Sequence, residues 1–124
     1  MRQIILDKDG GWPCLKLVAG HAQNVNYQIT YITPGNSESE PINNENTSRD
    51  ELQNCYSLDN HFDSLMDANH HKIRYLILVT GTENDQYSIN FDLIQGDKEH
   101  KIHHESGELP MDGPARDEVE IIIQ

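Results

Sequence analysis

A chain of 124 residues with a formal net charge of −12 is sized for one domain. It has the wrong sign for nucleic acid or an anionic membrane surface, both of which need a lysine and arginine surplus. Hydrophobic residues make up 35% and mean hydropathy is −0.70, so the core has to come from a few dense apolar runs separated by polar loops.

Arg2 to Asp7 is the first strand candidate, ended by Lys8-Asp9-Gly10-Gly11. Glycines there accept positive φ, and aspartate caps the bend. The apolar run Ile4-Ile5-Leu6 is too short for a secretory signal, and no stretch reaches the roughly 18 apolar residues of a membrane helix. The expected location is therefore cytoplasmic, or outside after release without such a signal. Trp12-Pro13 follows, and proline, lacking the ladder donor, marks a loop or strand edge. Trp12 is the lone tryptophan. Buried, it caps one end of the core; exposed, it offers a stacking ring to a sugar or anchors an interface.

Cys14 to Ala19 is a second strand with Leu15, Leu17 and Ala19 on one face. Val25 to Ile32 is a third, in which Val25, Tyr27, Ile29 and Tyr31 alternate with Asn26, Gln28 and Thr30. Pro34-Gly35 closes it. From Asn36 to Glu51 the only large apolar residue is Ile42. Such a stretch cannot offset its ordering entropy by packing, so a long polar loop is expected over about 34–51. A loop of that length is either functional or disordered. Without an export signal, Cys14 and Cys55 are expected as two reduced, buried thiols, and the sequon Asn46-Thr47-Ser48 as a chance occurrence.

Ser48-Arg49-Asp50-Glu51 has capping-box spacing. Leu52, Cys55 and Tyr56, then Phe62, Leu65 and Met66, fall at helical intervals. At most one short helix, or two helical turns, fits 49–67; a short strand at Asn54 to Leu58 competes. Lys72 to Ile94 reads as a hairpin. Ile73 to Val79 is nearly all apolar and suggests a strand buried on both faces. Beyond the turn Thr80 to Asp85, Tyr87, Ile89, Phe91 and Leu93 oppose Ser88, Asn90 and Asp92. The four tyrosines Tyr27, Tyr31, Tyr75 and Tyr87 lie on core faces. Gly96 to Glu99 is a turn, His100 to His104 a short edge strand, and Glu105 to Asp117, with its glycines and prolines, a loop. Val119 to Ile123 closes the domain. Roughly six to eight short strands make a mainly β, single-domain antiparallel sandwich or jelly roll. An open α+β domain is the alternative if 49–67 is helical.

Two constellations have metal-ligand chemistry. In an unbroken strand His100 and His104 share one face and His103 and Glu105 the other, and donors two residues apart can reach one zinc, nickel or iron ion. Asp7-Lys8-Asp9-Gly10 opens like a calcium loop but lacks the remaining ligands of that motif. A calcium site could still be assembled from Asp7, Asp9, Asp112, Asp117 and Glu118 if the terminal strands pair. No nucleophile motif, phosphate loop or dinucleotide fingerprint is present, and no motif requires a cofactor.

The leading expectation is a non-enzymatic, lectin-like module that recognises a carbohydrate, with calcium as the candidate ion. Its loops would be Asp7 to Trp12, Thr82 to Gln86 and Glu108 to Asp117, with Asp9, Trp12, Asn84, Asp85 and Asp112 as ligand contacts. The alternative is an acidic inhibitor, immunity or assembly protein that docks a basic partner through Glu38 to Glu51. A third reading is a metal-dependent enzyme built on His100, His103, His104 and Glu105. Open strand edges also allow a homo-oligomer.

Overall fold

Burial alternates residue by residue along β2 (Cys14–Ala19), β3 (Asn24–Ile32), β6 (Lys72–Thr80) and β7 (Gln86–Gln95), as one-sided strands require. The computed structural model describes residues 2–20, 24–35, 39–43 and 52–124, the segment 39–43 by its backbone alone. The remaining strands are β1 (Arg2–Leu6), β4 (Ser39–Asn43), β5 (Tyr56–Ser57), β8 (Lys98–Glu108) and β9 (Ala115–Ile123). They form two sheets, ordered β1-β9-β6-β3-β4 and β5-β2-β7-β8. Every pairing is antiparallel except β1 with β9. The expected mainly β sandwich is the observed fold. One hydrophobic core lies between the sheets, and Tyr27, Tyr31, Tyr75 and Tyr87 are buried in it.

Several expected details change. Strands β6 and β7 do not form a hairpin: β6 lies in the five-stranded sheet and β7 in the four-stranded one, so the turn 81–85 carries the chain across the sandwich. Apolar periodicity identifies a strand's inner face but not its neighbour. The hairpin is β7–β8, closed by the two-residue turn Gly96-Asp97 with Gly96 at φ 62°. Strand β6 is buried on one face only; Leu76 and Leu78 are half-buried on the other. The segment 105–117 is mostly strand, because β8 runs to Glu108 and β9 starts at Ala115. Within the expected 34–51 loop, Ser39–Asn43 forms β4 at a sheet edge, where Pro41 is tolerated. The sequon, the capping box from Ser48 to Glu51 and the rest of 44–51 lie outside the described residues. Between 54 and 69 the chain forms β5 and two short 3-10 turns, Leu58–Asn60 and Leu65–Ala68.

The cysteines are not free. Cys14 and Cys55 form a disulfide with Cα atoms 5.2 Å apart. Compartment reasoning suggested reduced thiols; register decides otherwise, because β5 pairs with the first residues of β2 and brings Cys55 beside Cys14. At the same end of the sandwich the buried amide of Gln95 holds the loop after β1. It accepts from the Asp7 N–H at 2.9 Å and donates to the carbonyls of Asp7 and Gly11 at 2.8 and 2.9 Å. A Cβ on Gly10 would lie 2.8 Å from the Gln95 side-chain carbon, so any larger residue there would push the Gln95 amide out of these bonds.

The bridge spans a sequence separation of 41 residues, for which loop-closure entropy predicts about 3–4 kcal/mol of stabilisation. Urea unfolding with and without a reductant should differ by that amount. Coincident curves would show that the bridge adds nothing.

Candidate ligand-binding face

The outer face of the five-stranded sheet carries an ordered polar array. Register across β3, β6 and β9 aligns Gln28, Leu76 and Arg116 in one row and Thr30, Arg74 and Glu118 in the next. Side chains in a row sit about 4.8 Å apart and the rows about 7 Å apart, set by strand geometry alone. Together with Tyr75 and Asp117 these residues line a concavity of about 430 Å³. Arg74 Nε donates to Glu118 Oε1 at 2.7 Å. Arg116 makes no ion pair among the described residues. Of the candidate site residues named from sequence, Asp117 and Glu118, both from the calcium set, line this face. Gln28 and Thr30 alternate visibly with core residues, but which residues on 74–76 and 116–118 stand beside them depends on pairing.

The three loops expected to bind together are divided between the two ends. Asp7, Asp9 and Trp12 lie at the end held by Gln95. Asn84, Asp85 and Asp112 lie at the opposite end, where the Asn84 N–H donates to the Leu109 carbonyl and the Leu109 N–H to the Asp85 carbonyl, both at 2.9 Å. Strand β7, 10 residues long, separates them. Trp12 is half-buried and packs on the core rather than standing free as a stacking platform. Asp7 Oδ1 accepts from the Asp9 N–H at 2.8 Å, an ordinary aspartate turn.

The calcium set fails for the same reason. The terminal strands do pair, but in parallel, with Leu6 opposite Ile123. Asp7 therefore follows the far end of β9, whereas Asp117 and Glu118 sit near its start and Asp112 precedes it.

The histidine set is divided by a β-bulge. Phe91 pairs with His103 and Asp92 with Lys101, leaving Ile102 as the extra residue. The bulge shifts the phase of β8, so His100, Ile102, His103 and Glu105 face inward and His104 faces outward. His104 Nε2 donates to Asp92 Oδ1 at 2.7 Å. His100 Nε2 is buried without a hydrogen-bond partner among the described residues. No three His, Cys, Asp or Glu residues gather as metal ligands among the described residues, so the four proposed donors do not form one site.

His103 and Glu105 instead join two tyrosines between the sheets. The ionised Glu105 only accepts, so His103 Nε2–H donates to Glu105 Oε1 at 2.9 Å, and His103 Nδ1 accepts from the Tyr75 hydroxyl at 2.9 Å. The Tyr87 hydroxyl donates to Glu105 Oε2 at 2.6 Å. The Tyr87 and His103 hydrogen bonds hold the Glu105 carboxyl below the usual carboxylate range. The Tyr87 phenol is pushed up to about 12, first by its bond to Glu105 and then by burial. The Tyr75 phenol is pushed up to about 12, chiefly by burial and then by Asp117. Both phenols stay protonated near neutrality and serve as donors; neither is an activated base or nucleophile.

Because the Glu105 pKa is lowered on folding, its contribution is full above the ordinary glutamate value of 4.5 and is lost as pH falls through the lowered one. Glu105→Gln should destabilise the fold by about 1 kcal/mol at neutral pH, a low figure for a charged hydrogen bond because solvent screens the exposed part of the side chain. The difference from the parent should close below pH 4.5; a difference independent of pH would show that the carboxylate charge is not what matters. Comparison with known proteins adds no relative: no family model matches the chain, and no match is found among curated proteins or solved structures.

Proposed function

We propose that this protein is a non-catalytic binding module whose five-stranded sheet presents its outer face to a neutral carbohydrate. The observation that carries this reading is the pair of cross-strand rows, Gln28-Leu76-Arg116 and Thr30-Arg74-Glu118, in one concavity. Sugar hydroxyls both donate and accept. The rows offer guanidinium donors, a carboxylate acceptor, and an amide and a hydroxyl that do both. Leu76, between Gln28 and Arg116 in its row, offers an apolar floor for the C–H face of a pyranose ring. The side chains stand on paired strands rather than on loops, so little ordering is needed on binding.

Charge supports a neutral ligand over an anionic one. The net charge of −12 repels anions at a distance, and Glu118 already neutralises Arg74. The Cys14–Cys55 bridge supports an oxidising compartment, which is where extracellular glycans are met. The described rows contain no aromatic platform, so affinity per sugar is expected in the millimolar range, about −4 kcal/mol, and gains come from longer oligosaccharides.

Titration of isotope-labelled protein with a panel of neutral oligosaccharides, followed by amide chemical shifts, tests the proposal. Shifts should map to residues 28–30, 74–76 and 116–118. Gln28→Ala and Arg116→Ala should each weaken binding about fivefold, the worth of one hydrogen bond, while Asp9→Asn leaves it unchanged. A panel without response, or shifts confined to the end loops, would overturn it.

A further inference from the structure

The end of the sandwich opposite the disulfide carries a second, differently built concavity. A groove of about 410 Å³ runs between the end of β6 and the β8–β9 connector. Leu78, Leu109, Pro110 and Met111 form its apolar walls, and Thr80 and Glu83 stand at its rim. Its shape is fixed by hydrogen bonds: the reciprocal main-chain pair of Asn84 and Asp85 with Leu109, and the Val79 N–H donating to the Met111 side-chain Sδ at 3.3 Å. Leu109 is buried in the core and anchors the connector, whereas Pro110 is exposed and Leu78 and Met111 are half-buried. Methionine adapts to the shape of an incoming side chain better than a branched residue does.

Among the described residues, the charges around the groove are of one sign. Glu83, Asp85, Glu108 and Asp112 are all exposed at this end. No lysine or arginine occurs in residues 75–97, nor in 102–115, the two stretches that build it. The opposite end is mixed, with Lys8, Lys98 and Lys101 among its acids. An apolar groove alone would accept any aliphatic side chain; a rim of carboxylates without a lysine or arginine partner among the described residues selects one accompanied by positive charge.

We propose that this groove docks a basic amphipathic segment of a partner protein. An aliphatic side chain of that segment enters between Leu78 and Met111, and flanking lysines or arginines meet Glu83 and Asp112. Long cationic side chains suit the geometry, since their methylene stems lie along Pro110 while the charged heads reach the rim. The groove shares no lining residue with the proposed sugar concavity, although Leu78 follows Leu76 on the outward face of β6, so shifts at Met111 and at residues 28 and 116 report the two readings separately.

Met111 supplies a local reporter and Met66, exposed and elsewhere on the molecule, an internal control. Protein labelled with ¹³C at methionine methyls is titrated with a short synthetic peptide alternating leucine and lysine. The Met111 methyl should shift and the Met66 methyl should not. Raising salt from about 0.05 to about 0.3 M should weaken binding severalfold. The paired exposed substitutions Glu83→Gln and Asp112→Asn should weaken it about fivefold, whereas Asp97→Asn with Glu99→Gln at the other end leaves it unchanged. A peptide with glutamate in place of lysine should not bind. An unmoved Met111 methyl, equal shifts at both methyls, equal losses from the two double variants, or equal binding of the acidic peptide would each overturn the proposal.

Discussion

Strand β6 is hydrogen-bonded to β3 along its whole length and to β9 over Lys72–Ile77, and the other features of the molecule are referred to that double register. Its inward residues Ile73, Ile77 and Val79 are sealed in the core, and Tyr75 joins them with its hydroxyl turned toward β8. A slip of one residue would send all four to solvent, so the core holds the register and the register holds the outer face. The polar rows across β3, β6 and β9 follow from this placement rather than from any motif of their own. At the end of the strand, Val79 and Thr80 form part of the second groove. One apolar strand thus positions two surfaces of opposite chemical character.

The open edges are guarded by different means. Strand β8 is long and exposed at its edge, but it carries lysines and glutamates and is interrupted by the bulge at Ile102. Arg2 donates to the Ile102 carbonyl, occupying a group that a foreign strand would need. The bulge also turns His103 and Glu105 inward, where Tyr75 and Tyr87 satisfy them. A polar inward face on an edge strand is costly to bury without such partners, and here each member of the chain of four has one. At the other edge of the same sheet, the Cys14–Cys55 disulfide ties the residue entering β5 to the start of its neighbour β2.

Much of the fold was legible in the sequence and rather little of the site. Period-two patterning located β2, β3, β7 and the end of β9, and a continuous apolar run located β6; the four tyrosines were placed in the core, because burial of side chains leaves a local trace. Partner choice leaves none. Nothing in Ile73 to Leu93 says that the two strands part into different sheets. Nothing around Asp7 says that β1 runs parallel to β9, yet that single fact puts Asp7 and Asp9 at the wrong end for Asp112 and Asp117. The bulge at Ile102 was equally silent, and one inserted residue reversed the assumed faces of His103 and His104. Arg74 and Arg116 went unnoticed, Gln28 was read only as the polar side of its strand, and Glu118 only as a calcium candidate, because each is unremarkable in its own strand; only cross-strand register makes them neighbours. The disulfide was misjudged because compartment was weighed and proximity could not be.

The parallel pairing of the terminal strands also determines how the domain answers tension. Arg2 to Leu6 lies against Val119 to Ile123 in five consecutive register positions, and Gln124 N–H and carbonyl continue the ladder to Leu6 and Lys8. Pull applied before Arg2 and after Gln124 slides β1 along β9, so every bond in the ladder is loaded at once. Two antiparallel end strands pulled at adjacent termini would instead peel apart one bond at a time. Under load in that direction the first event is the collective shear of the whole β1–β9 seam.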